Sequence, residues 1–144
     1  MFKKILVPVD GSSTSLRAVS SAVALAQAFG GKVSVIYVID PYPFTGVGTD
    51  FAYGQDQYLA AATAEAHDAI RAARESIEAA GVPVETSVVE GHSVWRGILA
   101  AATAMEADVI VMGSHGRSGI EKLLGSVAQR VLSHAHLPVM VVRD

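Results

Sequence analysis
Gly113 and Gly116 stand in Gly113-Ser114-His115-Gly116, directly after an apolar run, and a second small pair, Gly125-Ser126, follows a short way on. Residues of this type suit an anion. Glycines let backbone amides approach it, and a helix opening at Gly125-Ser126 adds free N–H groups at a positive dipole end, so the pattern points to phosphate. The same glycines also serve simply to end a strand and begin a helix, and spacing alone leaves both readings open. Neither G-x-x-x-x-G-K-[ST] nor G-x-G-x-x-G occurs, so neither a P-loop ATPase nor a classical dinucleotide enzyme is indicated. Three further candidates carry less. His92-Ser93 lacks a surrounding G-x-S-x-G elbow, and Ser93 reads as a helix cap rather than a nucleophile. His134-x-His136 lacks a nearby third metal ligand and reads as exposed histidines at a helix end, where positive charge is favourable. Trp95 reads as a partly buried packing residue rather than a stacking platform.

The elements that must position these residues alternate between strand and helix along the chain, which implies a parallel sheet covered by helices. The first strand is Lys4-Ile5-Leu6-Val7-Pro8-Val9, a continuous apolar run of the type buried on both faces, broken by Asp10-Gly11-Ser12. A helix capped by Ser13 or Thr14 follows, with Leu16, Val19, Val23, Ala26 and Phe29 inward, and ends at Gly30-Gly31. The second strand runs over 32–40. From Pro41 to about Gln57 the residues are rich in Gly, Pro and aromatics, and a loop of that length is often a lid or a binding loop. A long Ala-rich helix spans about Tyr58 to Ala80, with Ala62, Ala66, Ile70, Ala73 and Ile77 on one stripe. Then come a strand over 84–89, a helix from Ser93 with Val94, Ile98, Ala101 and Met105 inward, and a strand over 108–112. A helix through His134 and a last strand, Val139 to Val142, introduced by Pro138, complete the chain.

Right-handed crossovers restrict five such strands to a few doubly wound sheets, in which the ligand sits beyond the strand ends where the winding reverses. If the fourth strand returns beside the first, that switch point lies between Pro8–Ser12 and Gly113–Gly119. These are the chain's densest clusters of small polar residues, so topology and motif indicate one place.

Over nearly its whole length the chain resembles the universal stress protein family. The resemblance rests on Ile5-Leu6-Val7-Pro8-Val9-Asp10-Gly11-Ser12, Val35-Ile36-Tyr37-Val38-Ile39-Asp40, the segment from Val109 through Gly113-Ser114-His115-Gly116-Arg117-Ser118-Gly119, Leu124-Gly125-Ser126-Val127, and Pro138-Val139-Met140-Val141-Val142. It implies a single α/β domain over 1–144: a five-stranded parallel doubly wound sheet in the order 3-2-1-4-5, helices on both faces, Rossmann-like. It also implies dimers that pair their last strands and, for one subgroup, ATP binding through G-x2-G-x9-G-[ST]. Carried over, it puts Pro8, Val9 and Asp10 beside the adenosine, with the Asp10 carboxylate near the ribose hydroxyls, and Val38 against adenine. Gly113, His115, Gly116, Gly125, Ser126 and Val127 then surround ribose and phosphates, mostly through backbone amides. Asp10 also reads as a turn residue accepting amides of the following helix.

The chain departs from that motif by one position, because eight residues, Arg117 to Leu124, separate Gly116 from Gly125 where the pattern has nine. A residue lost from a helical turn would rotate everything beyond it by about 100°. A residue absorbed by the irregular part near Arg117-Ser118-Gly119 leaves the cradle intact, which is the expectation here.

Composition bounds the alternatives. A chain of 144 residues has the size of one domain. No apolar run approaches the roughly 20 residues that span a bilayer, and the short apolar run after the basic start carries no A-x-A-like cleavage site. A cytoplasmic protein without membrane partners is expected. Zero cysteines exclude a disulfide framework and thiol chemistry, and a formal charge of −3 argues against nucleic acid as a partner. The leading expectation is a homodimeric regulatory module that binds ATP with Mg²⁺. A slow ATPase using the same site and an interaction protein that binds no nucleotide are the alternatives. Fast phosphoryl transfer needs a metal clamp and a water-orienting group, and outside the glycines the site offers chiefly Asp10, His115, Arg117 and Ser126.

Overall fold
Residues Ile5, Leu6 and Val7 are fully buried although adjacent side chains in a strand point to opposite faces, so this strand must be covered on both sides. It is the central strand, β1 (Lys4–Pro8), of a parallel sheet that also contains β2 (Lys32–Ile39), β3 (Val84–Glu90), β4 (Val109–Gly113) and β5 (Val139–Val142). The strand order is β3-β2-β1-β4-β5. β1 runs beside β2 through Pro8↔Ile36 and beside β4 through Leu6↔Ile110, all parallel. The helices are α1 (Ser13–Phe29), α2 (Thr49–Ala79), α3 (Val94–Ala104) and α4 (Ser126–His134). The computed structural model describes residues 1–40, 49–116 and 124–143, with the backbone alone over 49–53.

Two cores follow from the strand alternation. On one face Ile5, Val7, Val33, Val35 and Val111 meet α1 through Ala18, Val19 and Ala22 and α2 through Ile70, Ala73 and Ile77. On the other face Leu6, Ile36, Ile110 and Met112 meet α3 through Ile98 and Ala102 and α4 through Ala128 and Val131. Helices on both faces and the reversal of winding between β1 and β4 make this the doubly wound, Rossmann-like α/β sheet expected from the sequence.

Three sequence expectations need correction. In α1 the inward stripe is Thr14, Ser15, Ala18, Val19, Ala22 and Ala26, whereas Leu16 and Phe29 are 45% and 40% exposed. Small residues face the sheet because α1 approaches it closely: a Cβ added at Gly113 would stand 2.7 Å from Thr14 Cγ2. Fit, rather than side-chain hydrophobicity, sets the rotation of that helix. Its cap is also one residue earlier than expected, at Ser12, whose Oγ accepts from Ser15 N at 3.2 Å. Finally, α2 begins at Thr49, inside the segment read as a loop to Gln57, while 41–48 lie outside the described residues. Once Ala66, Ile70, Ala73 and Ile77 dock the second half of the helix, each further residue adds a hydrogen bond without a new nucleation cost. Tyr58, whose hydroxyl donates to Asp40 O at 3.1 Å, ties the extended part to the end of β2. Among the described residues no helix is long and apolar enough to cross a membrane.

Candidate functional site
Where β1 and β4 diverge at their carboxyl ends, a cleft of about 500 Å³ opens, within the range of small-molecule sites. Its walls come from several elements. Pro8 ends β1 and Val9 and Asp10 follow it, Val38 lies on β2, and Gly113 ends β4 with His115 and Gly116 beyond it. Gly125, Ser126 and Val127 open α4. All ten residues singled out in the sequence therefore line one cavity, although they are spread over four segments of the chain.

The turn after β1 is held by its own side chains. Asp10 Oδ1 accepts from Ser12 N at 2.9 Å, as the turn reading of Asp10 requires, and Gly11 takes φ +84°, where a side chain is strained. Ser15 Oγ donates to Ser12 O at 2.9 Å. The second carboxylate oxygen of Asp10 faces the other glycine loop, since a Cβ at Gly116 would lie 2.8 Å from Oδ2. Asp10 is thus both a turn residue and a wall of the cleft.

The glycine loop is closed at both ends. Gly125 N donates to Ser114 O at 2.6 Å, and Ser114 N donates to Val142 O at 2.9 Å. A Cβ at Gly125 would come within 3.1 Å of both His115 Cα and Ser114 O, so the start of α4 rests directly on backbone. The eight-residue separation does not carry α4 away from β4, because Gly125 N at the start of α4 is bonded to Ser114 O just beyond the end of β4. Residues 117–123, including Arg117, Ser118 and Gly119, lie outside the described residues. His115 Nδ1 donates to Gly116 O at 3.1 Å, which leaves Nε2 facing Thr14 Oγ1 at 3.4 Å, so this ring links the loop to α1.

The opposite end of the cleft is apolar, lined by Val38, Val94, Ile98 and Met112. Pairing of β1 with β2 ends as Val9 N donates to Ile36 O at 2.9 Å. In a parallel strand, alternate residues present their amide and carbonyl to the same edge. Val38 therefore turns its backbone N–H and C=O toward the cleft, beside apolar side chains. One end of the cavity can take a flat apolar group with a donor and an acceptor on its rim, and the other can take an anion at glycines and a helix start.

Val94, Ile98, Met112, Tyr37, Ser12, Ser15 and Ala128 also line the cleft but were not singled out. Val94 and Ile98 belonged to the inward stripe of their helix; that a helix can line a ligand cavity and a core at once is decided by where β1 stops. Several other candidates lie elsewhere. Ser93 occupies the N-cap position of α3, but its side chain makes no cap hydrogen bond. His134 is exposed and donates through Nδ1 to Arg130 O at 2.9 Å. Its ring stacks 4.5 Å from that of Trp95, which is half-buried at the margin of the second core. Among the described residues no group of three or more His, Cys, Asp or Glu is placed to hold a metal.

The fold defines a class, the doubly wound α/β sheet, and its cleft lies at the switch point beyond the carboxyl ends of the strands, where ligands bind in sheets of this kind. A sequence model of the universal stress protein family matches residues 1–143. A universal stress protein of Methanocaldococcus jannaschii is 38% identical over 144 residues, 99% of this chain and 83% of that protein. The chain belongs to the universal stress protein family. Among solved structures, the universal stress protein UspA from Lactobacillus plantarum superposes with a TM-score of 0.87 at 28% identity, covering 99% of this chain and 98% of that one. A universal stress protein in complex with cAMP gives 0.69 at 28% identity, covering 99% and 97%. The universal stress protein from Archaeoglobus fulgidus in complex with dAMP gives 0.72 at 25% identity, covering 99% and 100%.

Proposed function
We propose that this chain binds an adenine nucleotide in the cleft at the ends of β1 and β4 and acts as a regulatory module of the stress response rather than as a dedicated catalyst. The observation that carries the proposal is the gathering of Pro8, Val9, Asp10, Val38, Gly113, His115, Gly116, Gly125, Ser126 and Val127 around one cavity that is apolar at one end and rich in backbone donors at the other. Adenine fits the apolar end against Val38, with the strand-edge N–H and C=O of that residue available to its polar edge. Ribose lies beside Asp10, and phosphates lie at Gly113, Gly116 and the start of α4. The relatives solved with cAMP and dAMP support adenine as the base. ATP with Mg²⁺ is the full ligand in this reading, the cation being held mainly by the phosphates.

A binding role is favoured over catalysis because the polar groups at the phosphate end already hold the loops together. Asp10 Oδ1 is engaged by Ser12 N, and His115 bridges Gly116 O and Thr14. Calorimetric titration with AMP, ADP, ATP with Mg²⁺ and cAMP tests the proposal. Saturable binding of at least one is expected; no heat and no thermal shift with any of them would overturn it.

The same reading includes a homodimer formed by antiparallel pairing of β5. Ile110 N donates to Pro138 O and Ser114 N donates to Val142 O, so the even-numbered residues of β5 face β4. Val139 and Val141 accordingly turn their amides to the outer edge, and Met140 is 39% exposed. An apolar edge of this kind is a liability that pairing removes, and a two-fold interface needs only one self-complementary patch.

A further inference from the structure
Gly97 sits inside α3, where glycine costs helix stability relative to alanine. Its surroundings give a reason for it. A Cβ built at Gly97 would stand 3.0 Å from Val38 Cγ1 and 3.3 Å from Val38 Cγ2, tighter than ordinary van der Waals contact but not prohibitive. The neighbour must give by a few tenths of an ångström, and Val38 can give in one direction only. Its backbone is held in β2 by pairing with Val89. Its side chain has α3 on one side and the cleft, which it lines, on the other. The residues flanking Gly97 on the same helix face, Val94 and Ile98, line the same end of that cleft. Gly91, in the turn before α3, reaches the same methyl group, but a Cβ there would lie 3.4 Å from Val38 Cγ1, an ordinary contact.

We infer that Gly97 is a positioning residue for ligand binding: by letting α3 lie directly on Val38, it sets the depth of the apolar end of the cleft and thereby how far a flat base can enter. The inference rests on the nucleotide reading above and goes beyond it, because Gly97 lines no part of the cavity and acts only through Val38. Adding one methyl group at residue 97 displaces Val38 into the space reserved for the base. The empty protein is not harmed, since the displaced side chain moves into an open cavity. Such a position, where a local stability rule is broken to keep a site open, is expected at functional sites.

The experiment compares wild type with Gly97→Ala, Gly91→Ala, Val38→Ala and the Gly97→Ala/Val38→Ala pair, using AMP titration, thermal unfolding and the crystal structure of ligand-free Gly97→Ala. Gly97→Ala should weaken AMP binding about tenfold while melting at or up to about 3 °C above wild type, because alanine favours the helix. Gly91→Ala should bind within about twofold of wild type. In the Val38→Ala background the Gly97→Ala change should cost nothing, since the methyl groups it displaces are gone; that non-additivity is the signature of action through Val38. Equal AMP affinity in Gly97→Ala, or the same loss with Val38 already removed, would overturn the inference. If wild type itself binds no nucleotide, the proposed function fails, and the crystal structure still decides the positioning role: Val38 shifted toward the cleft supports it, and Val38 in place with α3 moved outward refutes it.

Discussion

Gly125→Ala examines whether the start of α4 is held against β4 by backbone contact. The backbone at Gly125 has φ −66° and ψ 160°, an extended conformation open to any residue, so alanine brings no torsional strain. What it brings is a methyl group within 3.1 Å of His115 Cα and Ser114 O, neither of which can rotate aside. Relief requires α4 to retreat and to stretch the 2.6 Å bond from Gly125 N to Ser114 O. Overpacking of this kind costs about 1–3 kcal/mol. At about 2.1 cal/mol/K per residue, a chain of 144 residues has an unfolding entropy of about 0.3 kcal/mol/K, so a cost of about 2 kcal/mol lowers Tm by about 7 °C. Circular dichroism at the helix band during heating reads this directly. Alanine is also a poorer N-cap than glycine, and Gly125→Ser separates the two causes, because serine carries the same Cβ but supplies a good cap. The steric account expects serine to be nearly as damaging as alanine. AMP at 100 times its dissociation constant adds about 2.7 kcal/mol to wild type, or about 9 °C, and this shift should be lost in both variants. A Gly125→Ala protein melting within 2 °C of wild type, or full recovery in Gly125→Ser, would refute the reasoning.

Four further outcomes are expected. Gly116→Val should abolish the AMP titration signal while leaving Tm within about 2 °C, because Gly116 is exposed and, among the described residues, its added Cβ meets only the Asp10 carboxylate; binding that persists would remove the glycine loop from the site. Inserting one Leu between Leu124 and Gly125 should leave AMP affinity unchanged or tighter, since the bond between Gly125 and Ser114 pins the helix start; severe weakening would show that this span is adapted to its own length. Val141→Pro removes an outward-facing amide without touching a bond to β4, so light scattering should report twice the 15.0 kDa chain mass for wild type and one chain mass for the variant; a monomeric wild type at micromolar concentration would sink the dimer. Ser12→Ala, which deletes the acceptor for Ser15 N, should cost about 1 kcal/mol, seen as a Tm about 3 °C lower.

Most of the architecture was legible because its signals are local. Ile5-Leu6-Val7 and Val109-Ile110-Val111 are continuous apolar runs, and such runs belong to strands covered on both faces. Alternation with helical periodicity then restricts the sheet to a few windings, and each of them places a ligand beyond the strand ends. The glycine clusters at 113–116 and 125–126 mark that place in the sequence itself, because close backbone approach leaves no room for a side chain. These local signals carried the fold class and the two glycine clusters, whereas the strand order and the other singled-out residues beside the cleft followed from the resemblance to the universal stress protein family.

Tertiary structure alone decided the rest, since it depends on distances between segments far apart in sequence. The rotation of α1 follows from Thr14 meeting Gly113 across the sheet, which overrides the stripe that Leu16 and Phe29 suggested. The length of α2 follows from docking of Ala66 through Ile77 and from the bond of Tyr58 to Asp40 O, which extend a helix past the point where its periodicity becomes visible. The contact of Gly97 with Val38 joins a helix to a strand three elements earlier, and no spacing within α3 announces it. Local propensity and alternation are written residue by residue, whereas close packing is a property of pairs, and those pairs exist only after the chain has folded.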